Sequence, residues 1–241
     1  MKLPFKDGKL IDKFQLILSN KKLDKLNTID NVYELSFTEN YNSKQEASCV
    51  VYQDIDGYKC KTWNKLLDFA VVYLKETNTY YEIRVSVDET DVLKKTLTLT
   101  SLCEAELSGI KLYNIEINTE SDIDRDDYTI PSVLYKENDP KNSILSRILD
   151  KAPHYHIGHV DTSLKNIQRS FSFDDKSIYD ALIEIGEEIN CIFEFDTTTR
   201  TINCYDLLAY CLDCGNRDDM DGICPKCESS NMVLPYGSDT G

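Results

Sequence analysis

Four cysteines near the end of the chain have the spacing of a metal site. They form two C-x2-C pairs separated by nine residues: Cys211, Cys214, Cys224 and Cys227. Each pair can form a tight turn that directs two thiolates at one ion, and Gly215 supplies the left-handed residue that such a turn often needs. Four thiolates close a tetrahedral shell and leave no position for a catalytic water. The pattern therefore predicts one structural zinc ion and no catalytic residue.

Two disulfides are the first alternative to a metal. The chain has nine cysteines, an odd number, and the stretch from Met1 to Lys13 lacks the long apolar run of a signal peptide. We therefore expect the protein to fold in a reducing cytoplasm, where a pair of C-x2-C motifs usually binds metal.

A nucleic-acid-binding finger is the second alternative. Between Cys211 and Cys227, two basic residues stand against four acidic ones, a net charge of −2. The whole chain has 27 lysines and arginines against 42 aspartates and glutamates, a formal net charge of −15. A surface that grips phosphates or docks on an acidic membrane should be basic, so the charge disfavours both partners. No apolar run approaches the roughly 20 residues of a membrane-spanning helix, and we expect no membrane anchor.

The first half of the chain, well before the four cysteines, is predicted to form mainly β-strands. Fifteen tyrosines and frequent Val, Ile and Thr favour them, and Asp56-Gly57 predicts a tight turn between two of them. In the first strand, Tyr33, Leu35 and Phe37 are expected on one face. Alternating apolar residues place the strands at 32–38, 48–54, 58–62, 70–74, 81–87 and around Leu97, with a helical turn after Trp63.

The second half predicts helices as well, giving an α+β fold. Ser143 should cap a helix over 144–151, and Asp174 or Asp175 should cap a longer helix that ends near Asn190. A hairpin follows, with strands over 191–195 and 201–205, and the cysteine segment comes directly after it. The predicted domains are a β-rich domain over 1–100, a mixed α+β domain over 101–206 and a zinc-ribbon-like insert over 207–236.

Two other clusters could bind metal. The stretch from Glu120 to Tyr128 has alternating acidic residues but lacks the central glycine and closing glutamate of an EF-hand, so a solvated acidic loop is expected. His154 and His156 are expected on the same side of a strand, with His159 nearby, but no further residue completes a familiar ligand set. No phosphate-binding glycine loop, H-E-x-x-H or G-x-S-x-G motif is present, and the sequence predicts no enzyme.

Several short runs of the chain are distinctive. They are Cys103-Glu-Ala-Glu-Leu-Ser, Tyr113-Asn-Ile-Glu-Ile-Asn-Thr-Glu, Ile144-Leu-Ser-Arg-Ile-Leu, Ala152-Pro-His-Tyr, Arg169-Ser-Phe-Ser-Phe, Cys191-Ile-Phe-Glu-Phe-Asp and Tyr236-Gly-Ser-Asp-Thr. Together they resemble the N-terminal hub region of siphophage and prophage tail proteins, the tail-associated lysins often labelled tail endopeptidases. Members from Gram-positive hosts have a similar insert of two cysteine knuckles, each knuckle being a C-x2-C pair with the turn that follows it. Glu228 departs from the pattern, because the second knuckle often has glycine there.

The resemblance implies an α+β fold of β-rich, barrel-like domains with a few helices and the small zinc-ribbon-like insert. It implies a baseplate hub at the virion tail tip, a trimer around the tail channel that is assembled in the bacterial host cytoplasm. Its partners would be the distal tail protein and the tape-measure protein, and phage DNA would pass without specific binding. In the family, cell-wall hydrolase activity lies in a separate C-terminal domain and the hub fold continues past residue 241, so we expect this chain to be a piece of a longer protein.

The leading hypothesis is therefore a structural tail protein. Two alternatives from other classes remain open. One is a peptidase or cell-wall hydrolase that acts through this chain itself, and the other is an acidic zinc-ribbon adaptor in transcription.

Overall fold

The computed structural model describes residues 5–6, 9–10, 14–38, 46–87, 92–124 and 130–238. The chain divides into two compact units, one of residues 1–106 with 196–199 and one of residues 107–195 with 200–241. The described residues form many strands and five α-helices, which is consistent with the predicted α+β class. The three predicted domain ranges stay predictions.

The first unit is built on a seven-stranded antiparallel sheet with the order β4-β3-β9-β10-β11-β6-β5. Two short pairs, β1–β2 and β7–β8, accompany it. The strands are β1 (Phe5–Lys6), β2 (Lys9–Leu10), β3 (Leu16–Ser19), β4 (Lys25–Thr28), β5 (Val32–Thr38), β6 (Glu46–Tyr52), β7 (Asp54–Ile55), β8 (Tyr58–Lys59), β9 (Ala70–Leu74), β10 (Thr79–Val87) and β11 (Lys94–Ser101).

The two edge strands of this sheet, β4 and β5, are consecutive in the chain. Only residues 29–31 join them, and four steps between α-carbons reach at most about 14 Å. The connection also forms hydrogen bonds with β3 and β6, the strands next to the two edges. The Ile29 N–H donates to the Leu16 carbonyl at 2.8 Å, and the Asn31 carbonyl accepts from the Tyr52 N–H at 3.1 Å. The sheet therefore curls into a half-barrel.

Alternate residues of the central strands form the core of this unit. Tyr81, Ile83 and Leu97 are fully buried, as the alternation predicts. The turn predicted at Asp56-Gly57 is confirmed, because both residues have positive φ angles, 50° and 84°, between β7 and β8. The helical turn is also confirmed as a 3-10 helix over Trp63–Lys65, and the strand after it as β9.

The prediction for the faces of β5 is wrong. Val32 and Leu35 pack against the core, while Tyr33 is 46% exposed. The register between β5 and β6 shifts after Tyr33, and Glu34 has a left-handed φ of 54°. Such a bulge adds one residue to a strand and so exchanges its faces. The side chain of Phe37 lies outside the described residues.

From residue 102 onwards, helices and short sheets alternate. The pairs are β12–β16 and β13–β15, and the three-stranded sheets are β14-β18-β17 and β20-β19-β21. The elements are α1 (Leu102–Ser108), β12 (Lys111–Leu112), β13 (Ile115–Ile117), α2 (Glu120–Ile123), a 3-10 helix (Pro140–Asn142), α3 (Ile144–Leu149), β14 (His156–Val160), α4 (Thr162–Lys165), β15 (Phe171–Phe173), β16 (Lys176–Ser177), α5 (Ile178–Ile189), β17 (Cys191–Asp196), β18 (Thr201–Asp206), β19 (Ala209–Cys211), β20 (Arg217–Asp218) and β21 (Met232–Val233).

The longest helix, α5, buries one side in the second unit. Its fully buried residues Ala181, Leu182 and Ile185 belong to the predicted apolar stripe. The helix ends as predicted at Asn190, which has a left-handed φ of 53° and donates its N–H to the Gly186 carbonyl. This end of α5 lies where the chain turns into the hairpin that precedes the cysteines.

The predicted caps have different outcomes. Ser143 caps α3 as predicted, accepting a hydrogen bond from the Ser146 N–H. The prediction that Asp174 or Asp175 caps α5 is wrong. The cap is Ser177, which accepts from the Asp180 N–H at 3.0 Å. The reason is that the chain first forms β16, whose last residue is Ser177.

The hairpin of β17 and β18 leads directly into the small sheet that contains the first cysteine pair. β18 lies between β17 and the parallel strand β14, and β19 begins three residues after it. The predicted order of helix, hairpin and cysteine-containing segment is confirmed. Within the part of the chain that is described, no helix has the length and apolar character to cross a membrane.

Candidate metal centre

The sulfur atoms of the four predicted cysteines lie together. All four are within 4.8 Å of one another. The Sγ atoms of Cys211 and Cys227 are 3.5 Å apart, as are those of Cys214 and Cys224. Thiolates around a tetrahedral zinc ion, with bonds of about 2.3 Å, are about 3.8 Å apart. The cluster could therefore hold a metal ion.

The two knuckles have the same backbone conformation. Gly215 follows the first pair with a φ of 71°, and its N–H donates to the Cys211 carbonyl at 2.9 Å. Glu228 follows the second pair with a φ of 60°, and its N–H donates to the Cys224 carbonyl at 2.8 Å. The left-handed conformation predicted for Gly215 is confirmed. Glu228 adopts it at a cost of about 1 kcal/mol, because a side chain disfavours this region.

A small apolar cluster supports two of the ligands. Cys211 and Cys224 are fully buried and pack with Ala209 and Met220, and Met232 packs against them. Cys214 is half-buried and Cys227 is exposed. The cluster is small, so the segment depends on a bound ion or on contacts with neighbouring elements for its stability.

Crowding makes it costly to ionise all four thiols without a cation. The Ser229 backbone N–H lowers the pKa of the Cys227 thiol, but Cys214, burial and the other thiols raise it to about 12. At Cys224, burial raises the pKa, but two backbone N–H groups of the second knuckle lower it to about 7. A bound metal cation favours the thiolate at every position, and this donor set suits a soft or borderline divalent metal.

The sequence analysis missed the contact that joins this segment to the rest of its unit. The Arg217 guanidinium binds the Asp206 carboxylate at two points, from Nε at 2.6 Å and from Nη2 at 2.7 Å. Nη2 also donates to the carbonyls of Ile189 and Asn190, at 2.5 and 2.9 Å. Carbonyls at the end of a helix have no intrahelical N–H to accept from. The Arg217 guanidinium supplies the missing hydrogen-bond donors at the end of α5. Its position as one of two basic residues between Cys211 and Cys227 was the available signal.

Asp206 is held from several directions besides Arg217. Its carboxylate accepts from the Ser163 hydroxyl at 2.6 Å and from the Leu208 N–H at 2.9 Å. Its own N–H donates to the Asp161 carboxylate at 2.7 Å. These contacts fix the end of β18 relative to α4. The ion pair between Arg217 and Asp206 then holds the cysteine-containing segment against the end of β18.

The segment after the cysteines returns to the hairpin through a stack of aromatic rings. The ring centroids of Tyr236 and Tyr205 are 4.5 Å apart, with an angle of 17° between the ring planes. The Tyr205 ring also stacks on His159, with 5.3 Å between centroids. The Tyr236 hydroxyl donates to Glu194, and burial together with this carboxylate raises the pKa of Tyr236. Both ends of the insert are therefore fastened to the same hairpin.

The histidines do not form a second metal site. β14 begins at His156, so the prediction that His154 shares a strand face with it is wrong. His159 pairs instead with the Asp161 carboxylate, at 2.7 Å. Across the described ranges, the four cysteines are the one group of three or more His, Cys, Asp or Glu side chains that could hold a metal ion.

One residue of the acidic stretch after Glu120 differs from the prediction, while Glu120 and Asp124 are exposed as expected. Asp122 is 1% exposed and forms a two-point pair with Arg147, with both N···O distances 3.0 Å. It is therefore a buried structural group and not part of a solvated loop. Asp126 and Asp127 lie outside the described residues.

Comparison with known proteins gives a likeness of fold. The chain resembles the prophage tail protein gp18 from Listeria monocytogenes EGD-e with a TM-score of 0.53 at 10% identity, over 79% of this chain and 50% of that one. A 43 kDa tail protein of prophage MuSo2 from Shewanella oneidensis has a TM-score of 0.43 at 12% identity, over 79% of this chain and 53% of that one. This chain thus spans about half the length of either structure. No family model and no curated protein sequence matches it.

Proposed function

We propose that this chain is a structural component of a phage or prophage tail tip, where it forms part of the baseplate hub around the tail channel. The observation that carries the proposal is the likeness of fold to a prophage tail protein, over 79% of the chain. The hub-like sequence runs around Cys103, Ile144 and Cys191 support the same assignment independently of that comparison. The hub would link the distal tail to the host-contact or lysin module.

The metal proposed for the four cysteines is a structural zinc ion. Four thiolates from Cys211, Cys214, Cys224 and Cys227 would fill its coordination shell and leave no position for substrate or water. Arg217 and the ring stack of Tyr236 support this role, because they hold the middle and the end of the segment against the β17–β18 hairpin. In the hub, the insert would maintain local shape or contact a neighbouring protein.

The proposed partners are two further copies of the chain, the distal tail protein and the tape-measure protein. Phage DNA would pass through the ring without specific binding, and a net charge of −15 would oppose adhesion of its phosphates. An assembled ring with a neutral or basic lumen would refute this role for the charge.

The experiment that tests the proposal uses purified particles. We expect mass spectrometry to find this chain in intact tails, and a map of the tail tip to place three copies around the channel below the tail tube. Absence of the chain from particles that adsorb and inject normally would refute the tail assignment. Stable binding to RNA polymerase without incorporation into tails would favour the transcription adaptor.

The competing enzyme hypothesis has its own test. Any hydrolase activity is proposed to lie in a C-terminal domain and not in this chain. We therefore expect no turnover of purified peptidoglycan by the purified chain. Turnover that is lost in His156→Ala would support a peptidase or hydrolase acting through the chain.

A further inference from the structure

A second pair of cysteines lies close together outside the metal centre. Cys191 is the first residue of β17, Cys204 lies within β18, and their Sγ atoms are 3.4 Å apart. Both residues are at most 1% exposed. The Cys204 thiol donates a hydrogen bond to the Cys191 sulfur. They are not joined by a disulfide: all nine cysteines lie in the described part of the chain, and each is in the reduced form.

We propose that Cys191 and Cys204 are a latent disulfide that closes when the protein meets a low-molecular-weight disulfide in an oxidising medium. A disulfide bond is about 2.05 Å long, so each sulfur must move by only about 0.7 Å. The two strands are already neighbours in one sheet, and the bond would close a loop between positions that are 13 residues apart. A loop of this length constrains the unfolded chain, so the link would stabilise the folded state.

The chemistry is two successive thiol–disulfide exchanges. One protein thiolate attacks a sulfur of the small disulfide, forms a mixed disulfide and releases one small thiolate. The second protein thiolate attacks the protein sulfur of that mixed disulfide and releases the second small thiolate. The protein loses two electrons and two protons, and one small disulfide becomes two small thiols.

Burial makes this reaction slow rather than unfavourable. The hydrogen bond with Cys191, and then burial, raise the pKa of the Cys204 thiol, which disfavours the reactive thiolate. Exchange therefore requires transient opening of the hairpin. In a reducing cytoplasm the pair stays as two thiols, and it closes after prolonged exposure to an oxidising medium. That change of medium rests on the proposed tail function, but the reactivity of the pair does not.

The test uses the purified, metal-loaded chain and oxidised glutathione, followed by trapping with N-ethylmaleimide in denaturant. Trypsin leaves Cys191 alone in the fragment 177–200 and places Cys204 in the fragment 201–217. We expect a linked pair of fragments in which Cys211 and Cys214 each carry one maleimide adduct, with a mass two hydrogen atoms below the sum of the two fragments and the two adducts. Fragmentation should assign the bond to Cys204. The metal content should not change, and the midpoint of urea unfolding should rise.

Cys204→Ser and Cys204→Ala should each abolish the linked pair. Both substitutions are used so that a folding defect in one of them does not decide the result. Cys49→Ser is the matched control, because it removes a buried thiol from the other unit and should leave the link intact. The proposal is overturned if Cys191 remains alkylated by maleimide even in pure oxidised glutathione. It is also overturned if Cys191 stops at a mixed disulfide with glutathione or links to a cysteine of the metal centre. These outcomes concern the isolated chain, so they are distinguishable from failure of the particle experiment.

Discussion

Arg217, between the two cysteine pairs, and Asp206, at the end of β18, form a two-point ion pair that is largely shielded from water. Their side chains are 17% and 6% exposed. The same guanidinium reaches the last carbonyls of α5, so one side chain connects the cysteine segment, the hairpin and the helix. Removing one partner of such a pair leaves a buried charge without compensation, which costs more than the pair itself contributes.

Arg217→Ala should therefore lower the free energy of unfolding by about 2–4 kcal/mol. Hydrogen exchange should increase at the end of α5 near Asn190 as well as in the cysteine segment. Arg217→Lys should recover part of the loss, since lysine keeps the charge but not the two-point geometry. Denaturant unfolding and exchange mass spectrometry measure both effects.

Arg169→Ala is the control for charge removal in the same unit. Arg169 is 53% exposed and lies 3.9 Å from Glu188, which is 60% exposed. An exposed pair of this kind contributes less than about 1 kcal/mol. Equal losses from the two alanine variants would contradict the connecting role of Arg217.

Metal removal should loosen the segment beyond Leu207 while α5 stays largely folded. We expect about one zinc ion per chain by elemental analysis, because four cysteine ligands define one site. Cys214→Ser should reduce the bound zinc and increase exchange around Gly215. Cys60→Ser, which alters a buried thiol in the other unit, should leave the zinc content unchanged. An unchanged zinc content in Cys214→Ser would refute the ligand assignment.

Ser177→Ala should cost about 1 kcal/mol of stability, because Ser177 caps α5 through the Asp180 N–H. Asp174→Ala should cost less, since Asp174 does not cap the helix. Urea unfolding of the two variants distinguishes them. A larger loss for Asp174→Ala would restore the cap that the sequence predicted and contradict the structure.

The turn of the hairpin should contribute a stability that depends on pH. Burial raises the pKa of Asp196, but hydrogen bonds from Thr198 and Thr199 outweigh this effect and lower it below 3.8. The contribution is therefore fully present above pH 3.8 and is lost as the pH falls through the pKa of the folded state. Asp196→Asn should be less stable than the wild type at pH 7, and the difference should shrink below pH 3.8. A difference in urea midpoint that stays constant down to pH 2 would contradict this mechanism.

The sequence was most informative where local chemistry decides the conformation. Gly215 and Asp56-Gly57 have the predicted positive φ angles, and Asn190 ends α5 as expected. The conformation at each of these positions depends on the residue itself, so the residue and its sequence neighbours suffice to predict it. The four cysteines belong to the same class, because their spacing identified the group whose sulfur atoms lie together.

Features that depend on distant residues could not be predicted in this way. The bulge at Glu34 exchanges the faces of β5, although the alternation of the strand looks regular in sequence. Asp122 is buried because Arg147, 25 residues away, neutralises it. Arg217 is likewise explained only by its contact with Asp206. In each case the deciding partner comes from another element.

The short connection between β4 and β5 limits the distance between the two edge strands of the seven-stranded sheet. A strand added between its edges would need about 4.8 Å on each side, and residues 29–31 already bond to β3 and β6, the strands next to the two edges. At that end the half-barrel cannot widen without breaking these bonds. A visiting strand, from a neighbour or from an aggregate, could therefore enter the open seam only from the opposite end.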